Sequence, residues 1–196
     1  MKILISNILI LLLVSCNDTR VPLPKPRIYP KVNYPSGKDL VFSKSQCPFE
    51  MTVPTYFKYI KDEKKNKGEA QYSCWFDLVC EELNTNVHFS YVPITTSKNL
   101  EVLTEDAFEM VDKHNVKASY RDEIKISNSA NNVYGFLFQI DGPVASPTQF
   151  FLTDSTQHFV RGSLYFNDVV NRDSIAPVFA FLKKDLDIML DTWVWK

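Results

Sequence analysis

Glycine is scarce in this chain, five residues in 196, and one group of functions goes with it. A glycine-rich phosphate loop and a dinucleotide fingerprint both need several glycines where backbone approaches phosphate, and neither pattern occurs. Histidine is scarcer. His88, His114 and His158 are the three, spread over three predicted elements and without ligand-like spacing to one another or to the cysteines, so no metal site or cofactor is expected. An excess of one charge is also missing. The formal net charge is -1, which gives no electrostatic ground for nucleic acid or an acidic polymer as partner. Beyond residue 14 no long apolar run remains, and charged residues interrupt every stretch before the about 20 apolar residues a membrane-spanning helix needs.

What is present begins with Lys2, an apolar run over residues 3–14, and then Leu13-Val14-Ser15-Cys16. A short positive segment, a hydrophobic segment and small residues leading into a cysteine read as a lipoprotein signal. Residues 1–15 are expected to be removed and Cys16 to carry the lipid, so the membrane is a partner through the N-terminal lipid. Residues 16–39 hold Pro22, Pro24, Pro26, Pro30 and Pro35 among basic residues. Proline fixes φ and favours extended polyproline geometry, so this reads as a semi-rigid tether. Asn17-Asp18-Thr19-Arg20 lacks an acidic run that would suggest surface export, which favours a periplasm-facing domain and leaves inner or outer membrane open. Removing 15 residues from 196 leaves 181, enough for one globular domain over residues 40–196.

With Cys16 lipidated, three cysteines remain. Outside the inner membrane a disulfide is permissible, and Cys47 and Cys74 flank a charged loop, each at the head of a predicted strand. Pairing of Cys47 with Cys74, leaving Cys80 as a buried thiol, is the preferred reading; Cys47 with Cys80, or no disulfide, stays open.

Period-two alternation marks most elements. Phe49, Met51 and Val53 alternate with polar neighbours, and Pro48 points to an edge or strand-start position. A short strand follows near residues 56–60, then an exposed charged loop over residues 61–69. Cys74, Phe76 and Leu78 face opposite to Trp75, Asp77 and Val79, and Val87, Phe89 and Tyr91 alternate in an antiparallel neighbour. Leu100, Leu103, Ala107, Met110 and Val111 then change to helical spacing over residues 97–114, with Ser97 or Asn99 as cap. A short strand at residues 124–127 precedes a polar turn at 128–132. Tyr134, Phe136, Phe138 and Ile140 make an internal strand apolar on both faces, and residues 149–153 and 158–166 complete a meander through the hairpin loop 154–157. A helix carries Ile175, Val178, Phe179, Leu182, Leu186, Met189 and Trp193, capped by Asp173 or Ser174 with Pro177 in its first turn. The fold class is α+β, mainly antiparallel sheet with flanking helices.

Few groupings invite chemistry. Asp154, Ser155 and His158 share one hairpin, yet a triad is assembled in space around an oxyanion hole, and Asp, Ser and Thr are also what a tight turn selects. Glu81-Glu82 and Glu105-Asp106 are adjacent in sequence, so neither pair shares a face. No catalytic residue is expected, no ligand-binding residue can be named, and the chain reads as a non-enzyme.

Residues 133–137, the run 149–166, Asp173-Ser174-Ile175-Ala176-Pro177 and Trp193-Val194-Trp195-Lys196 resemble the gliding-motility lipoprotein GldD family of Bacteroidota. Cys47-Pro48-Phe49, Cys74-Trp75, His88-Phe89-Ser90-Tyr91 and Lys113-His114 agree. The resemblance implies a role in gliding and the associated type IX secretion apparatus, other proteins of that machinery as partners, and no enzymatic activity; it supplies no site residues. The charged loop and Cys80 depart from the family pattern, which leaves the disulfide assignment open. The element order looks like a Mog1/PsbP-type α/β/α sandwich.

Overall fold

The computed structural model describes residues 31–62, 74–115, 118–167 and 172–196. The expected signal segment, Cys16, residues 17–30 of the expected tether and residues 63–69 of the expected charged loop lie outside the described residues. The strands are β1 Asp39–Ser43, β2 Phe49–Pro54, β3 Lys58–Lys61, β4 Trp75–Cys80, β5 Thr85–Pro93, β6 Tyr120–Asn128, β7 Val133–Asp141, β8 Thr148–Thr153, β9 His158–Phe166 and β10 Val194–Trp195. Helix α1 spans Ser97–Asn115 and α2 spans Arg172–Asp191.

Seven strands form one sheet in the order β3-β4-β5-β9-β8-β7-β6, and β1-β2-β10 form a second. Every pairing is antiparallel. The large sheet is two meanders joined where β5 meets β9, with Phe89 opposite Gly162.

Alternation decides the layers, because successive side chains of a strand point to opposite faces. One face sends Phe76, Phe89, Phe150 and Leu164 into a cluster with Phe49 and Met51 of the small sheet and Leu182, Leu186 and Met189 of α2. The other face sends Phe138, Ile140, Phe151 and Phe159 against Ala107 and Val111 of α1. Three layers result: α1, the large sheet, and α2 beside the small sheet. Trp193, fully buried, stacks on Phe49 at 4.2 Å between ring centroids and ties the C-terminus to β2. Gly162 lets the Phe150 ring lie against the β9 backbone, since a Cβ there would lie 2.1 Å from that ring. A disulfide joins Cys47 to Cys74, closing the segment that carries β2 and β3 onto β4, and Cys80 is a buried free thiol.

Several elements differ from their sequence pattern. β2 is the middle strand of its sheet, and of the two positions Pro48 pointed to, edge or strand start, it takes the second: it stands directly before Phe49, where its missing N–H costs no ladder bond and its carbonyl accepts the Lys196 N–H at 2.9 Å. β6 runs nine residues where four were expected. Thr96, not Ser97 or Asn99, caps α1, its hydroxyl accepting the Asn99 N–H at 3.1 Å, while Asn99 Oδ1 accepts the Thr95 N–H at 3.3 Å. α2 begins at Arg172, which moves Pro177 from the first turn to the second. Packing also starts ahead of β1, with the Tyr34 ring 4.9 Å from that of Phe181.

Candidate functional site

The hairpin between β8 and β9 brings Asp154, Ser155 and His158 together as a turn. Asp154 Oδ1 accepts the N–H groups of Thr156, Gln157 and His158 at 3.0, 2.9 and 2.8 Å, and Oδ2 accepts the Thr156 hydroxyl at 2.8 Å. Burial pushes this carboxyl up, but the donors outweigh it and hold it down at about 2. Ser155 occupies the left-handed region at φ 66°. His158 turns away from both, its Nδ1 2.9 Å from the Tyr91 hydroxyl and its ring stacked 5.2 Å from Trp195. The Asp154 carboxylate and the Thr153 hydroxyl, which accepts the Ser155 N–H at 2.9 Å, are thus spent on shaping the loop.

The other histidines are separate. His88 Nδ1 lies 2.5 Å from Asp77 Oδ1 on neighbouring strands, and the His114 side chain is outside the described residues. Strand register extends the pair into a row, Asp77, His88, Ser163 and Gln149. Ser163 is buried, and among the described residues no hydroxyl–imidazole hydrogen bond joins it to His88. The described residues contain no group of three His, Cys, Asp or Glu suited to a metal ion. Glu81 is taken by Lys58 at the surface, and Glu105 and Asp106 are exposed on α1.

A cleft opens on the α1 side of the large sheet. α1 packs over β7, β8 and β9, whereas the same face of β4 and β5 carries the half-exposed Trp75, Asp77, Val79, His88 and Ser90. At the border lies a trough of ≈ 440 Å³, floored by Trp75, Ser90, Phe159 and Arg161 and walled by Leu103 and Met110. The Trp75 indole N–H donates to the Tyr91 carbonyl at 2.8 Å, which locks the ring. Phe159 is buried and stacks 5.3 Å from Phe151. Burial pushes the Arg161 guanidinium down, opposed by Tyr165 and Asp106. Composition and spacing pass this trough over. The one signal was that Trp75 lies on the less apolar side of the β4 alternation.

The sequence model of the family described as gliding motility lipoprotein GldD matches residues 19–195. The chain belongs to the gliding motility lipoprotein GldD family. Membership makes it a lipoprotein, associated with the membrane of the cell envelope. The matched span takes in both sheets, both helices and the cleft, and begins three residues after Cys16. No curated protein matches the GldD-family chain in sequence. Its architecture is similar to the solution structure of cyanobacterial PsbP from Synechocystis, with a TM-score of 0.50 at 10% identity, covering 83% of this chain and 95% of that one. Such a likeness shows the α+β, PsbP-like fold alone. No helix among the described residues is long and apolar enough to cross a membrane.

Proposed function

We propose that this chain is a non-catalytic component of the gliding machinery and of the type IX secretion apparatus associated with it, held at the membrane by lipid on Cys16 and acting by binding other proteins of that machinery. The observation that carries the reading is the family match over residues 19–195. The hairpin chemistry supports the non-catalytic part, because Asp154 spends its acceptors on the loop's own donors and Ser155 sits at the turn's left-handed position.

Spreading of a deletion strain complemented with His88→Gln or Ser155→Gly tests the non-catalytic part. Both variants should spread as the wild type does. Loss of spreading with a folded, membrane-associated Ser155→Gly protein would argue for a nucleophile there, since glycine suits φ 66° without strain. The alternative, a periplasmic module for a small ligand, draws on the trough beside α1, whose volume falls in the range of small-molecule sites.

A further inference from the structure

Arg161 presents an unfinished site. A guanidinium carries five N–H donors and no acceptor, and taking it out of water is costly without a paired anion. It projects from β9 opposite Ser90 on one side and Phe151 on the other, at the floor of the trough. Among the described residues its guanidinium has one hydrogen-bonding contact, with the Met110 thioether, a weak acceptor. No carboxylate among the described residues pairs with it: Glu109 on the rim is taken by Lys113 at 2.9 Å, and Asp106 acts on it only through its charge. Around this cation stand Trp75, locked by Tyr91, and the buried Phe159, with Leu103 and Met110 on α1 facing them. Tryptophan and arginine are among the residue types most enriched where binding energy concentrates in protein interfaces.

Shape selects between occupants. Small ligands are mostly enclosed, with about 70–90% of their surface buried, whereas this trough is walled by α1 on one side and runs out onto the half-exposed face of β4 and β5 on the other. An occupant seated on Arg161 has somewhere to continue. Resting on the interaction reading above, we propose that the trough is the partner-docking site and takes a peptide segment that sets a carboxylate on Arg161 beside a large apolar side chain against Trp75 and Phe159. Asp106 on the rim opposes any such anion and so tunes the site.

Three methionines remain once residues 1–15 are removed, which makes the test specific, since Met51 and Met189 are buried in the opposite layer and serve as internal references for Met110. The full chain in lipid nanodiscs, labelled at methionine methyls, is titrated with N-acetyl-Phe-Glu-amide, with N-acetyl-Phe-Gln-amide and with phenylpropionate. The glutamyl peptide should shift the Met110 methyl and the Trp75 indole saturably, about 5-fold more tightly than the glutaminyl peptide, the discrimination one charge-assisted contact gives. Arg161→Gln should abolish that preference. Asp106→Asn, an exposed change that leaves the fold intact, should strengthen the glutamyl peptide about 2-fold. Equal affinity for the two peptides, or no effect of Asp106→Asn, overturns the proposal, as does the absence of a saturable Met110 shift up to about 10 mM peptide. Phenylpropionate binding about 10-fold more tightly than the glutamyl peptide overturns it in favour of a small-ligand site. Any of these failures beside recovery of machinery proteins from cells removes this docking site while leaving the interaction reading in place.

Discussion

Asp154 shows how much one side chain can organise. Its carboxylate accepts from three successive backbone N–H groups and one hydroxyl, so removing it orphans several donors at once. Asp154→Ala should cost about 1–2 kcal/mol, read as a lower urea midpoint. Because its folded pKa of about 2 lies below the ordinary 3.8, its contribution is complete above pH 4 and is lost as pH falls through 2. His158 acts at milder pH. Burial lowers its pKa below the ordinary 6.5, with Asp154 opposing, so the folded chain prefers the neutral ring and stability falls as pH drops beneath that value. The wild-type urea midpoint should therefore decrease between pH 7.5 and 5.5. In His158→Gln most of that decrease should vanish; an unchanged pH slope would assign it to other groups.

Among the elements, β7 to β9 approach one another closely at two glycines. A Cβ on Gly135 would sit 1.9 Å from the Phe151 carbonyl oxygen, which is backbone and cannot step aside, whereas Gly162 meets the Phe150 ring, which can tilt. Gly135→Ala should thus be the more damaging change, costing about 3 kcal/mol against about 1–2 for Gly162→Ala, compared by denaturant unfolding. The disulfide works at the same scale. Its 27-residue separation implies about 3.5 kcal/mol of stabilisation by loop closure, so Cys47→Ser with Cys74→Ser should show a matching loss, and thiol titration of the wild-type Cys80 should require unfolding.

Elements with one buried face were legible beforehand, β4 and β5 showing the period-two pattern that burial imposes, while β7 and β9, packed on both faces, were legible as apolar runs bounded by turn residues. β1 and most of β6 were not, because each lies at a sheet edge with both faces largely in water, where alternation has nothing to select it. The trough was illegible for another reason. Trp75, Met110 and Arg161 stand far apart in the chain and meet only because β5 pairs with β9 and α1 folds back over the sheet.

For the whole molecule, the layered core leaves two kinds of surface: an edge strand, β6, guarded by Arg121, Asp122, Glu123 and Lys125 against chance pairing, and the trough with its half-open sheet face. Under the proposed function, the proline-containing stretch of residues 22–35 links this domain in sequence to Cys16, the proposed lipidation site, so that position and binding belong to one function. Cys16→Ala should move the protein out of the membrane fraction and reduce spreading while leaving its unfolding curve unchanged. The most direct measurement of the central claim is in-cell crosslinking followed by pull-down of the wild-type protein beside Cys16→Ala. Motility and secretion proteins should be recovered with the wild type and lost or strongly reduced with Cys16→Ala; recovery of none of them with the wild type would contradict the account.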